Sequence, residues 1–137
     1  MKIKITSYDS LLSVARQQPE PQRLLFVFLK ASLPKDYEGD EAIQFQSGQG
    51  GELRPVMCVD KILDELGSFS DLVEESERVE KEWQLVLVAG LAGRDGVVPS
   101  SDEAERPLKM MIHTVENGGD LTKYMAFDTE GAPVEFG

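Results

Sequence analysis

One cysteine and one histidine occur in the chain, so covalent or metal chemistry would have to be built on Cys58, His113 or a set of carboxylates. Cys58 lies within PVMCVDK, residues 55–61. A thiol becomes a nucleophile when a helix N-terminus, a nearby cation or a second cysteine stabilises its thiolate. There is no CxxC here, and the nearby Asp60 is acidic. Unpaired cysteine is also among the most buried residue types. Cys58 therefore reads as a structural thiol in the wall of a sheet, with a reactive thiol as the alternative.

His113 falls opposite the apolar face Leu108, Met111, Ile112 and Val115 of a predicted helix, which turns it toward solvent. A Cys58–His113 dyad would need that helix to face the other way, because nucleophile and base must lie within hydrogen-bond reach. With one His and one Cys, only a carboxylate-rich oxygen site could hold a metal, and no D-x-D-x-D-G run is present. Neither a metal nor a cofactor is read, and Glu74, Glu75 and Glu77 are a solvated helix face.

The best-placed pattern is GLAGRDGVVPSS, residues 90–101. It leaves the carboxyl end of a predicted strand and enters a helix, the place where open α/β sheets bind ligands and where free N–H groups suit an anion. Gly93, Arg94, Ser100 and Ser101 are its candidate ligand-binding residues, with Arg94 as a forked donor. Asp60, at the end of the strand holding Cys58, is expected to meet Arg94 at the same end of the sheet. The spacing is neither GxGxxG nor a phosphate loop with its lysine, so ordinary turn chemistry is the competing reading.

The elements that must position these residues follow from periodicity. Tyr8, Leu11, Leu12 and Ala15 form a helical stripe behind Ser7 as N-cap, and Pro19 and Pro21 stop it. RLLFVFLKA (23–31) is a continuous apolar strand, as suits one covered on both faces. Residues 34–51 read either as a short helix, EAIQFQS, ended by Gly48, or as a loop. A second strand covers about 53–60, with Pro55 favouring an edge. Strict alternation places Arg54, Val56, Cys58 and Asp60 on one of its faces.

A helix over 69–82 follows Ser68 or Ser70, with Phe69, Leu72, Val73 and Val79 inward and Glu74–Arg78 and Glu77–Lys81 as outer pairs. WQLVLVAGL (83–91) is the third strand. Ser100 and Glu103 make a capping-box pattern, and Pro107 predicts a kink or two short helices before Gly118-Gly119. KYMAFDTEGAPVEF closes as a hairpin turning at Asp128–Gly131. The sum is an α/β layered sandwich: a mixed sheet of four or five strands with helices packed on it and a C-terminal β-hairpin. A single domain spans residues 1–137. The long 61–82 and 92–119 connections imply that strands two, three and four are parallel.

Composition narrows function. The net charge is −11, and residues 1–59 are balanced at seven basic and seven acidic side chains, so all the excess lies in the last 78 residues. That half repels phosphate backbones and anionic lipid, which removes nucleic acid and membrane as partners and leaves a basic protein partner or plain solubility. The longest unbroken apolar run is the six residues Leu24–Leu29, too short to span a bilayer. MKIKITSYDS lacks the apolar stretch of a signal peptide, so a cytoplasmic location is expected.

RQQPEPQRLLFVFLKASLP, PVMCVDK, FSDLVEES and AFDTEGAPVEF together resemble a small proteobacterial family whose members often carry the name "ribonucleotide reductase subunit alpha". A reductase catalytic subunit needs a radical cysteine and a separate reducing pair, and one cysteine cannot supply them. The name therefore implies either a misassignment or an association with the reductase, and it assigns no role to Cys58. The expected function is a non-enzymatic binding or regulatory module for a protein partner. The alternatives are the reductase association, or an anion- or nucleotide-binding domain or enzyme using the Gly90–Ser101 loop.

Overall fold

The computed structural model describes residues 7–32, 52–79, 83–121 and 124–134. Helix α1 runs Tyr8–Arg16. Ser7 caps it reciprocally: Ser7 Oγ accepts from the Ser10 N–H at 3.1 Å, and Ser10 Oγ accepts from the Ser7 N–H at 2.9 Å. Strands β1 (Gln22–Ser32) and β2 (Glu52–Ile62) follow, then a 3-10 turn at Leu63–Glu65. Helix α2 is Phe69–Glu77, capped by Ser68 and Asp71; Glu74 pairs with Arg78 at 3.3 Å. β3 is Leu85–Ala92, α3 is Ser101–Glu116 and β4 is Met125–Asp128. Lys81 of the expected pair with Glu77, and the segment 34–51 with its expected helix EAIQFQS, lie outside the described residues.

The sheet order is β2-β1-β3-β4, and every pairing is antiparallel. This corrects the parallel arrangement expected for strands two to four. Leu24–Leu29 are all buried, and only the central position covers such a run on both faces and both edges. With β1 at the centre, β2 and β3 flank it instead of pairing. The α2 connection therefore crosses over a strand, and α3 returns the chain to an antiparallel neighbour. Pro55 sits in β2, an edge strand, where its missing N–H is tolerated.

The sheet divides two apolar layers. Leu24, Phe26 and Phe28 of β1 pack with the α1 stripe, Leu72 of α2, Trp83, Val86, Val88 and Phe127. The alternate residues Leu25, Val27 and Leu29 pack with Ala104, Leu108, Met111 and Val115 of α3. Trp83 precedes β3 and is buried; its Nε1 donates to Ser76 Oγ at 2.8 Å, which itself donates to the Val73 carbonyl at 2.7 Å. α3 is a single helix through Pro107 and not two short helices. Ala104, before the proline, and Leu108, Met111 and Val115, after it, are all buried, so both halves pack on the sheet.

β2 carries a register shift. Phe28 faces Met57, but Leu29 faces Pro55, leaving Val56 as the extra residue of a bulge. Strict alternation therefore fails: Pro55 and Leu53 share the α3 face with Cys58 and Asp60, while Arg54 moves to the face of Met57. At the other edge, Asp128–Gly131 turns as expected with Gly131 at φ 84, and Asp128 Oδ1 accepts from the Glu130 and Ala132 N–H groups at 2.8 and 3.0 Å. The hairpin's return arm is described as far as Val134, through the Phe127–Pro133 bridge.

Tyr8 is 2% exposed, and its hydroxyl has no hydrogen-bond partner among the described residues. Its ring meets Phe69 and Phe127 edge-on, at centroid distances of 5.2 and 6.4 Å. An unsatisfied buried hydroxyl costs free energy, so Tyr8→Phe should raise stability by about 1 kcal/mol in urea unfolding at neutral pH. Burial, with Asp9 adding, pushes the phenol up to about 12 from 10.0. The unfolded chain then loses its proton first, so the Tyr8 contribution is intact below pH 10 and lost as pH rises toward 12. Tyr8→Phe should flatten that alkaline loss of stability, and an unchanged profile would refute the assignment.

Candidate functional site

β2 and β3 run the same way on either side of β1, so their carboxyl ends and the amino end of β1 share one end of the sheet. Arg23 lies between them, opposite Ile62 on one side and Leu91 on the other. The end of the sheet expected for Asp60 and the 90–101 loop is thus the one observed, but the residue between them is Arg23. Asp60 meets Arg23 rather than Arg94: Arg23 Nη1 donates to Asp60 Oδ2 at 2.6 Å, and Arg23 Nε donates to the Pro99 carbonyl at 2.6 Å. Ser101 Oγ, in the first turn of α3, lies 3.0 and 2.8 Å from the two Asp60 oxygens. The carboxylate thereby joins the sheet to the amino end of α3, where negative charge is favoured by the helix dipole.

The glycine loop is a closed turn. Arg94 and Val97 exchange both backbone hydrogen bonds, at 3.1 and 2.9 Å. Between them Asp95 and Gly96 hold φ 53 and 79, as a type I′ turn requires of its two central residues. The Asp95 and Gly96 N–H groups donate at 2.9 and 2.8 Å to the two oxygens of Glu20. These outward amides would suit an anion, and the chain's own carboxylate holds them. The Gly93 N–H donates to the Pro21 carbonyl at 2.8 Å. Ser100 is the α3 N-cap, accepting from the Glu103 N–H at 3.1 Å, which supplies its half of the expected box.

Arg94 is exposed on the rim of a cleft of about 350 Å³ whose lining includes Gly93, Val98, Pro99 and Glu103. A carboxylate on that rim opposes binding of an anion. Neither Arg23 nor Glu20 stands out in the sequence as a site residue. The available signals were an arginine opening an apolar strand and a glutamate held between Pro19 and Pro21.

Cys58 is exposed, which corrects its expected place in the buried wall. It lies opposite Val27 on an edge strand, so one flank of the residue lacks a neighbouring strand among those described. Partial desolvation, then the Asp60 carboxylate, push its thiol above the ordinary value. Iodoacetamide should alkylate Cys58 in the folded protein without denaturant, with a pH–rate profile displaced to the alkaline side of free cysteine. Labelling that requires unfolding would contradict the exposure. His113 is exposed on α3, as its place opposite the apolar face predicts.

Among the described residues, no group of three or more His, Cys, Asp or Glu side chains could hold a metal ion. Among them too, no helix is long and apolar enough to cross a membrane. Comparison with protein-family models, with curated proteins and with solved structures returns no match.

Proposed function

We propose that the chain is a non-enzymatic binding or regulatory module for a protein partner. The observation that carries this reading is that the polar groups best placed for chemistry are turned on one another. Glu20 holds the loop amides, and Arg23 and Ser101 hold Asp60. Such closed pairs give rigidity, whereas a catalytic or anion site presents its donors to a ligand. The acidic excess then supports a partner of opposite charge.

Affinity capture from native lysate at low salt tests this. The expected result is enrichment of a specific protein that is lost as salt is raised, and no enrichment over a control bait would overturn the reading. The family name makes a ribonucleotide reductase catalytic subunit the first purified protein to try. A thermal-shift screen with nucleotides and sugar phosphates addresses the anion alternative, for which Arg94→Ala should abolish any stabilisation. The protein-partner reading expects no stabilisation in that screen.

A further inference from the structure

Asn117 is the only asparagine in the chain, and glycine follows it in the run Glu116-Asn117-Gly118-Gly119. It closes α3 as the C-cap, with φ −99 and ψ 10, and Gly118 follows at φ 65. The Gly118 N–H donates to the Val115 carbonyl at 3.3 Å, and the Gly119 N–H donates to the Thr114 carbonyl at 2.8 Å. These are the two bonds of a Schellman end, whose positive φ favours glycine. The Asn117 side chain joins the same cap, since its Nδ2 donates to the His113 carbonyl at 2.8 Å. Asn117, Gly118 and Gly119 are all exposed.

The cap therefore occupies two groups that an asparagine–glycine pair can turn on each other. The nitrogen of the following residue can attack the side-chain carbonyl carbon, because closing a five-membered ring keeps the reactants together. Glycine has no side chain to obstruct that nitrogen, and a Cβ placed on Gly118 would meet nothing within 4 Å. Conformation is what restrains the reaction. Ring closure needs Asn117 Cβ to eclipse the Gly118 nitrogen about the Cα–C bond. At ψ 10 the backbone nitrogen of Asn117 eclipses it instead, and Cβ is turned well away. The last turn must open before the ring can form, and helix ends open at low cost.

We propose that Asn117 is a self-modifying site, converted to aspartate and isoaspartate at a rate set by opening of the last turn of α3. The Gly118 nitrogen gives its proton to hydroxide and bonds to Asn117 Cγ. The Cγ–Nδ2 bond breaks, and ammonia leaves with a proton taken from water. Water then opens the cyclic imide. Attack at Cγ gives aspartate, and attack at the main-chain carbonyl gives isoaspartate, whose chain runs through Cβ and Cγ. Either product replaces a donor to the His113 carbonyl with a carboxylate beside Glu116, where the helix dipole disfavours negative charge. Val115 is buried against the sheet and Leu121 packs on the same layer, so the change loosens the link from α3 to β4. The reaction is independent of any partner.

Incubation of the full chain in mildly alkaline buffer, followed by trypsin, isolates Asn117 in residues 110–123, between Lys109 and Lys123. The expected result is the mass gain of an amide-to-acid exchange in that peptide, resolved by chromatography into two products. Conversion should be about tenfold slower in the folded protein than in urea. Val115→Ala, which weakens packing of the last turn, should quicken conversion in buffer and leave the urea rate unchanged. Gly118→Ala should remove most of the conversion in urea, where cap strain plays no part. Asn117→Asp should lower the melting temperature by about 3 °C. The proposal is overturned if the folded chain stays unmodified while the urea sample converts, or if the two rates are equal. A mass gain confined to glutamine-containing peptides overturns it as well. So does an unchanged rate in Val115→Ala, or an unchanged melting temperature in Asn117→Asp.

Discussion

Asp60→Ala is expected to destabilise the fold by about 3 kcal/mol, the lower end of what breaking a buried ion pair costs. Asp60 and Arg23 are 17% and 13% exposed at the side chain, so solvent screens the pair only in part. Removing the carboxylate takes the 2.6 Å partner from Arg23 and leaves its guanidinium with the Pro99 carbonyl alone. The Ser101 hydroxyl loses its acceptor as well. Both losses fall where β1, β2 and the amino end of α3 meet.

Asp60→Asn should cost less, since an amide oxygen still accepts from Ser101. The double replacement Arg23→Met with Asp60→Leu should cost less than the two single changes summed, because neither charge is then stranded. Urea unfolding with an unchanged m-value checks all three. A loss below about 0.5 kcal/mol for Asp60→Ala would reduce the contact to an ordinary surface pair.

The second large effect is expected at Gly93. A Cβ there would meet the Val97 carbonyl oxygen in hard overlap and the Pro21 oxygen at 3.0 Å. Both are backbone atoms, held by the Arg94–Val97 bridge and by the Gly93–Pro21 hydrogen bond, so neither can move cheaply. Gly93→Ala should cost about 2–3 kcal/mol through overpacking. Gly96→Ala is the control. Its added Cβ meets nothing within 4 Å, so only the positive φ of 79 is penalised, at about 1 kcal/mol. If the two substitutions cost the same, close approach is not the reason for glycine at position 93.

These two residues show how far local pattern carried. Gly93 is legible as a loop glycine and a site candidate, yet its requirement comes from the Val97 carbonyl within its own turn and, more mildly, from that of Pro21 across the sheet end. Asp60 is legible as the polar end of a strand, but the loop pattern points to Arg94 as its partner. The error has a simple cause: the long crossovers suggested that strands two and three were neighbours, whereas β1 lies between them and brings Arg23 into the gap. Cys58 was misplaced for a related reason. An apolar run such as PVMCV looks the same on a central strand and on an edge, and only pairing decides which flank is covered.

The kinds of element and most of their ends follow from local pattern. The α1 stripe behind Ser7, the Ser68 and Ser100 caps, the buried six-residue run of β1 and the turn at Asp128–Gly131 all depend on neighbours within a few residues. Periodicity and hydrogen-bonding type act over that range. Tertiary structure alone decided the order β2-β1-β3-β4, the bulge at Val56, the filling of the loop amides by Glu20 and the exposure of Cys58. Arg23 and Asp60 are 37 residues apart in the chain, and Glu20 and Gly96 are 76 apart. Contacts of that separation are set by which apolar run takes the centre of the sheet, a competition among all the strands at once that no local window contains.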